Sequence, residues 1–310
     1  MQAKALVGGK LVSFKLFPEL ARAHRTNTGK SMSDSEAVTF VEKKRRSFAL
    51  RRSFLAALLL LPLTLAAAES TKKPVLLYSR YFNARGETRY QPDGNYKEVL
   101  TRLRGEFEVH VHANPLNAKT LAGVNAVLIA NPSDKAAGTN PPPNHVAAAD
   151  IAALTQFVQS GGGLIILGNQ EAHNLETTDL NRLLAQFGLQ LLDRHTDIKF
   201  LPLPKATPVI GGLSWLYYSG DQVVLSVGHP AKPRALVSND VSIKPINGPR
   251  NEPGCLLATA EPGKGRVVLI TDAGWITDDS LAGKPIGEVT IKGADNWEIM
   301  RRLTRWAAQK

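Results

Sequence analysis

The sequence predicts an α/β fold, a mainly parallel sheet with helices on both faces, for the chain beyond residue 68. Three observations predict it. Short apolar runs alternate with stretches whose apolar residues recur at helical spacing, the pattern of βαβ units. Glycines stand where those helices must stop and the next strand begins, as in Ser160-Gly161-Gly162-Gly163. Hydrophobic residues make up 43% of the chain, enough for a large core and against general disorder.

The elements follow in order. Val75–Ser79 is a short apolar run and reads as a buried strand. Tyr96, Val99, Leu100 and Leu103 mark a helix over 96–104. Phe107–His112 alternates as a strand, with His110 and His112 on one face. Asn114-Pro115 opens a helical turn to Leu121, and Ala126–Ala130 is the third strand. A Pro-rich loop, Asp134–His145, leads to a helix over 146–159, and Leu164–Leu167 is the fourth strand. Thr178–Phe187 is helical, closed by Gly188, and Leu189–Leu192 is again a strand. Residues 196–253 are rich in Pro and Gly and read as a β-rich excursion, with strands at 222–227 and 234–237. Cys255–Ala260 and Arg266–Thr271 make a hairpin. A helix over 296–308 ends the chain, with Asp295 as N-cap and Glu298 completing a capping box.

Charge separates a leader from this body. The formal net charge is +11, but residues 1–68 hold 12 Lys and Arg against 4 Asp and Glu. The other 242 residues carry only +3. Residues 1–42 form an extension of unassigned character. Residues 43–68 read as a signal peptide: Lys43-Lys44-Arg45-Arg46 and Arg51-Arg52, an apolar run from Phe54 to Leu65, then Ala66-Ala67-Ala68. Arg51-Arg52-Ser53-Phe54-Leu55 also fits a twin-arginine export motif, so both export routes stay open, and Met32 is an alternative start. The expected location is periplasmic or extracellular, with an uncleaved membrane anchor as the alternative. After signal removal no permanent membrane span is expected. Residues 69–310 then form one domain.

Two segments, Phe157-Val158 with Gly161-Gly162-Gly163-Leu164-Ile165-Ile166-Leu167, and Gly263–Asp272, resemble the class I glutamine amidotransferase-like superfamily. The nearer likeness is to its uncharacterised branch in gliding-motility transport-associated and intraflagellar transport proteins; trehalose-utilisation-like proteins are more distant. The resemblance covers roughly residues 74–308 and implies a flavodoxin-like sheet with a site at the strand C-termini. Enzymes of that superfamily place a cysteine on the turn after the central strand. The corresponding turn here is Gly168-Asn169-Gln170-Glu171, without cysteine. Cys255 is the one cysteine and falls inside a predicted strand, so amidotransferase chemistry does not carry over. A Gly-x-Ser-x-Gly nucleophile turn is also missing.

Ligands of open α/β sheets bind beyond the carboxyl ends of the strands. That rule selects Ser79 and Arg80 after the first strand, and Asn131 and Ser133 after the third. After the fourth it selects Asn169, Gln170, Glu171, His173, Asn174 and Glu176, and after the last, Asp272 and Trp275. Three readings compete for Asn169–Glu176: caps that order the loop and the Thr178 helix, a polar ligand site, or acid/base chemistry by Glu171 and His173. Glu171, His173, Glu176 and Asp179 together have ligand types suited to a divalent metal, and Asp272 with Asp278 and Asp279 to calcium, but the reading assigns no metal and no cofactor. Trp215, Tyr217, Tyr218 and Trp275 are candidates for a sugar-stacking wall. Arg301, Arg302 and Arg305 read as a solvated helix face, and nucleic acid is not an expected partner. The leading expectation is an exported, non-catalytic domain that binds a small polar ligand, carbohydrate among the candidates, or an envelope protein. The alternatives are a metal-assisted or acid/base hydrolase and a structural subunit of an envelope assembly.

Overall fold

The computed structural model describes residues 2–7, 10–15, 72–170, 173–284 and 293–309. The chain divides into two compact units, Met1–Leu65 and Ala66–Lys310. In the first, β1 (Gln2–Val7) and β2 (Lys10–Lys15) form an antiparallel hairpin, Gln2 opposite Lys15 and Val7 opposite Lys10. The signal peptide expected at 43–68 lies outside the described residues. No helix among those described is long and apolar enough to cross a membrane.

In the second unit, β3 (Val75–Ser79), β4 (Glu108–His112), β5 (Ala126–Ala130) and β6 (Gly163–Leu167) alternate with helices. These are α1 (Lys97–Leu103), α2 (Ala118–Leu121), α3 (Ala148–Gln159) and α4 (Thr178–Ala185). Then come β7 (Leu189–Pro202), β8 (Ser214–Tyr217), β9 (Gly220–Leu225), β10 (Arg234–Ser238) and β11 (Asn247–Asn251). β12 (Cys255–Ala260), β13 (Arg266–Ile270), a 3-10 turn at Gly274–Ile276, α5 (Asp278–Leu281) and α6 (Asn296–Ala307) complete it. One 11-stranded sheet runs β11-β7-β9-β12-β13-β6-β5-β3-β4, with β10 beside β12 and β8 beside β7.

The stretch β4-β3-β5-β6-β13 is parallel throughout. By chain position its order is second, first, third, fourth, fifth, the flavodoxin-like order, with its topological switch point between β3 and β5. Every residue of β5 and β6 is buried, because helices cover both faces. Leu100, Leu103, Ile299, Met300 and Leu303 from α1 and α6 pack on one face. Leu154, Val158, Leu180, Leu183 and Leu184 from α3 and α4 pack on the other.

The sheet as a whole is mixed, with a parallel core. The excursion at 196–253 joins the sheet through β7, β9 and β11 in antiparallel pairing rather than standing apart. β7 runs to Pro202, ten residues past the predicted end at Leu192. A register shift between Leu192 and Thr196 bends it, so its first part pairs with β9 and its last part with β8. The exposed Asp193 and Arg194 at that bend interrupt the apolar pattern, which is why periodicity ends the strand early.

The capping box expected at α6 is not formed. Asp295 accepts instead from the Ser214 N–H at 2.8 Å, which ties α6 to β8. Glu298 turns to Arg301 (2.6 Å) and Arg302 (2.7 Å), which pull its carboxyl down to about 2. Arg301 and Arg305 also reach Glu106 at 3.1 Å each, so the basic face of α6 is neutralised within the fold.

Candidate functional site

Loops from three strands meet at the switch point and lace it shut. The Asn83 amide donates to the carbonyls of Ala130 (2.7 Å) and Asn131 (3.1 Å), folding the loop after β3 across the end of β5. The Ser133 N–H bonds the Phe82 carbonyl at 2.9 Å. The Asp134 N–H bonds the Asn174 carbonyl, and the Glu176 N–H the Pro132 carbonyl, both at 2.9 Å. Asn131 and Asn174 take left-handed backbone, φ 43° and 61°, which asparagine tolerates best after glycine. Ser79, Asn131 and Ser133 are buried by this lacing, while Arg80 stays partly exposed, 3.6 Å from Asp93. The side-chain oxygens of Ser79, Asn83, Gln91 and Asn131 are buried there without a hydrogen-bond partner.

Glu176 caps α4. Its oxygens accept from the N–H groups of Asp179 (2.8 Å) and Leu180 (2.9 Å), and it is 2% exposed. His145 approaches from the loop before α3, its Nδ1 3.2 Å from Asp179 and 4.0 Å from Glu176. These three are donors of the right type for a divalent metal, but both Glu176 oxygens are already held by the helix end, and Arg182 holds Asp179 at 2.9 Å. Glu171 lies outside the described residues. His173 is exposed; partial burial and the Arg89 charge lower its pKa.

Asp272 is a core ligand of backbone rather than of metal. Its carboxylate accepts from the N–H groups of Tyr218 (2.6 Å), Ser219 (3.3 Å) and Gly274 (2.6 Å). Burial pushes its pKa up to about 7, against the lowering by these donors and by Trp275 N–H. Asp278 accepts from the Glu98 N–H at 2.8 Å, and Asp279 from the Asn95 amide at 3.2 Å and from the Lys284 ammonium. The sugar-stacking wall is not formed. Trp215, Tyr217 and Trp275 are fully buried, Trp215 edge-on to Tyr217 at 5.2 Å and to Trp275 at 5.7 Å. They are core because β8 folds under α6. Cys255 is also buried, its thiol pushed up to about 12, which leaves it unreactive.

A polar chain crosses the ends of β6 and β13 towards the excursion. The Asn169 amide donates to the Tyr90 hydroxyl at 2.6 Å, and the Gln170 N–H to the Asn169 side chain at 2.9 Å. The Gln170 amide donates to Ser219 Oγ at 2.7 Å, and Ser219 Oγ lies 2.7 Å from His195 Nε2. Asp197 Oδ1 lies 3.0 Å from the same Nε2, and Arg250 Nη1 is 2.8 Å from Nδ1. β7 supplies His195 and Asp197, the turn before β9 supplies Ser219, and β11 supplies Arg250. Gly248, at φ 88°, lets β11 come close: a Cβ there would sit 2.2 Å from Asp197 Oδ2. That oxygen accepts the Arg250 N–H at 2.7 Å.

Serine, histidine and aspartate in contact suggest a nucleophile and its base, but the hydrogen bonds run the wrong way. A guanidinium has no acceptor, so His195 Nδ1 must accept from Arg250 and the ring proton must sit on Nε2. Nε2–H then donates to Ser219 Oγ and Asp197, and cannot take the serine proton. Burial lowers the His195 pKa, opposed by the Asp197 carboxylate and reinforced by the Arg250 charge. Ser219 Oγ accepts from Gln170 and from His195, which leaves its own O–H free to donate. Gln170, Ser219 and His195 thus form a run of neutral donors and acceptors at a half-buried rim, held by the Asp197 carboxylate and the Arg250 guanidinium. Sequence reading named Gln170 but gave no role to Ser219, His195, Asp197 or Arg250. His195 and Arg250 stand 55 residues apart, and no local spacing links them.

Comparison with known proteins bears on this frame. A family model described as the IFT52 GIFT domain matches residues 81–197. Among solved structures, the mmIFT52 N-terminal domain is similar at 17% identity and TM-score 0.56, over 75% of this chain and 97% of that one. A putative thua-like protein from Bacteroides uniformis ATCC 8492 is similar at 13% identity and TM-score 0.49, over 78% of this chain and 94% of that one. No curated protein matches the sequence. The likeness to the mmIFT52 domain supports the fold.

Proposed function

We propose that the body of this chain is an exported, non-catalytic domain that binds a small, neutral, hydroxyl-rich ligand at the Gln170–Ser219–His195 rim. The observation that carries the reading is the direction of the hydrogen bonds: Arg250 holds His195 as an Nε2–H donor, so Ser219 offers a hydroxyl but has no base. The Gln170 amide groups not engaged with Ser219, together with the Ser219 O–H that the neutral imidazole cannot deprotonate, suit alternating donors and acceptors such as the vicinal hydroxyls of a sugar or polyol. The turn after β6 has no cysteine, which argues against the acyl-transfer chemistry of the superfamily it resembles. The basic segment and apolar run at 43–68 support export.

Calorimetry of the full chain against neutral monosaccharides, disaccharides and polyols tests the proposal. At least one compound should bind, be recovered unchanged, and lose about tenfold or more in affinity when Gln170→Ala or Ser219→Ala is introduced. A panel without heat, or binding untouched by both substitutions, removes the ligand reading. Turnover of the bound compound would restore the hydrolase alternative with Glu171 and His173.

A further inference from the structure

We propose that β4 is a self-association edge, and that two copies of this chain pair antiparallel through it about a two-fold axis at His110. The argument starts from the backbone. The Glu108 N–H bonds the Pro74 carbonyl at 2.9 Å, and the His112 carbonyl accepts the Arg80 N–H at 2.8 Å. Residues 108, 110 and 112 therefore turn their peptide groups to β3, and Val109 and Val111 turn theirs to the open edge. Among the described residues β4 pairs with β3 alone.

Exposed edges of this kind are normally blunted by proline, lysine, bulges or cover. The opposite edge is. β11 contains Gly248 and Pro249, and its pairing with β7 breaks register between Asn247 and Asn251. Among the described residues β4 carries none of these devices: it is Glu-Val-His-Val-His, regular in register, with Val111 42% exposed.

The occupant is a second copy because the strand is complementary to itself. With His110 opposite His110, Val109 faces Val111 of the other copy on both sides of the axis. Each such pair exchanges two N–H···O=C bonds, so both outward donors and both outward acceptors of each copy are used. On one sheet face this register sets Glu108, which already pairs with His110 of its own chain at 2.8 Å, across from His112 of the other copy, a carboxylate near an imidazole, twice. On the other face it sets Val109 against Val111, extending the apolar cluster that Val109 already joins. Symmetry of this kind gives a closed dimer rather than a filament.

Light scattering across a dilution series at pH 8 should show a monomer–dimer equilibrium, with dimer present by about 100 µM. Val111→Pro removes only an outward donor and should leave a monomer; Val111→Lys should do the same by placing a charge on the edge. The register has its own readout. Residues facing each other at a non-hydrogen-bonded pair have Cα atoms about 4.5 Å apart, within disulfide range. His110→Cys should therefore cross-link two chains on mild oxidation, at least about tenfold faster than Lys135→Cys at an exposed loop. Cys255 is buried and does not compete. A wild-type chain that stays monomeric, dimers unaffected by both Val111 substitutions, or a His110→Cys variant that cross-links no faster than the loop control would overturn the proposal.

Discussion

Asp272→Asn should uncouple the stability of the domain from one proton. Asp272 is fully buried, and its carboxyl is raised from 3.8 to about 7. The folded state therefore binds this proton more tightly than the unfolded state. Its contribution to stability is fully present below about pH 4 and is lost as pH rises through 7. Three units of pKa correspond to about 4 kcal/mol across that window. His173 and His195, both lowered, act in the opposite sense, since the unfolded chain binds their protons more tightly. The informative quantity is thus the difference between wild type and variant, measured by urea unfolding at several values from pH 5 to pH 8. Asn keeps an acceptor for the Tyr218 N–H but turns a donor towards the Gly274 N–H. That mismatch costs about 1–3 kcal/mol at every pH. The wild type should therefore exceed the variant by a margin that shrinks by roughly 3 kcal/mol between pH 5 and pH 8. A margin constant to within about 0.5 kcal/mol would mean that the backbone donors offset burial entirely, and would refute the assignment of a raised carboxyl.

Three further substitutions test how the site is held. Glu176→Ala removes two cap bonds at the start of α4 and should lower stability by about 1–3 kcal/mol, seen in thermal melts; an unchanged melt would mean that the cap is dispensable. Gly248→Ala combines a left-handed backbone with a Cβ 2.2 Å from Asp197, and should destabilise by about 1–3 kcal/mol and raise hydrogen exchange in β11 before the rest of the sheet. Lys199 is fully buried, with its ammonium donating to the Asp240 carbonyl (2.8 Å) and to Asn251 (2.6 Å). Lys199→Met should cost about 2–4 kcal/mol in urea unfolding by leaving those acceptors unpaired, while the parallel half of the sheet keeps its exchange protection.

The parallel core was legible in the sequence because its strands are buried on both faces. Val75–Ser79, Ala126–Ala130 and Leu164–Leu167 are unbroken apolar runs, and only a strand between helix layers needs that pattern. The excursion was legible as β-rich but not as part of the same sheet, since strand pairing across 30 to 50 residues leaves no periodic trace. Candidate site residues chosen by position after a strand divide by what they bond, not by burial. Glu176, Asp272 and Trp275 serve caps and core, whereas Gln170 lies in the polar chain. The other members come from β7, the turn before β9, and β11. His195 and Asp197 alternate with Thr196 on β7, a spacing that any half-buried strand shows, and their meaning depends on Arg250 arriving from a strand 55 residues away.

The claim that the rim binds without catalysis rests on which nitrogen of His195 carries the proton. Histidine side-chain ¹H–¹⁵N spectra of the full chain, with His195 assigned by substitution, report that directly. The account predicts a neutral ring protonated at Nε2 between pH 7 and pH 8, shifting towards mixed tautomers only when Arg250→Ala removes the donor at Nδ1. A wild-type ring protonated at Nδ1, with Nε2 free to accept from Ser219, would contradict it and place a serine nucleophile beside its base.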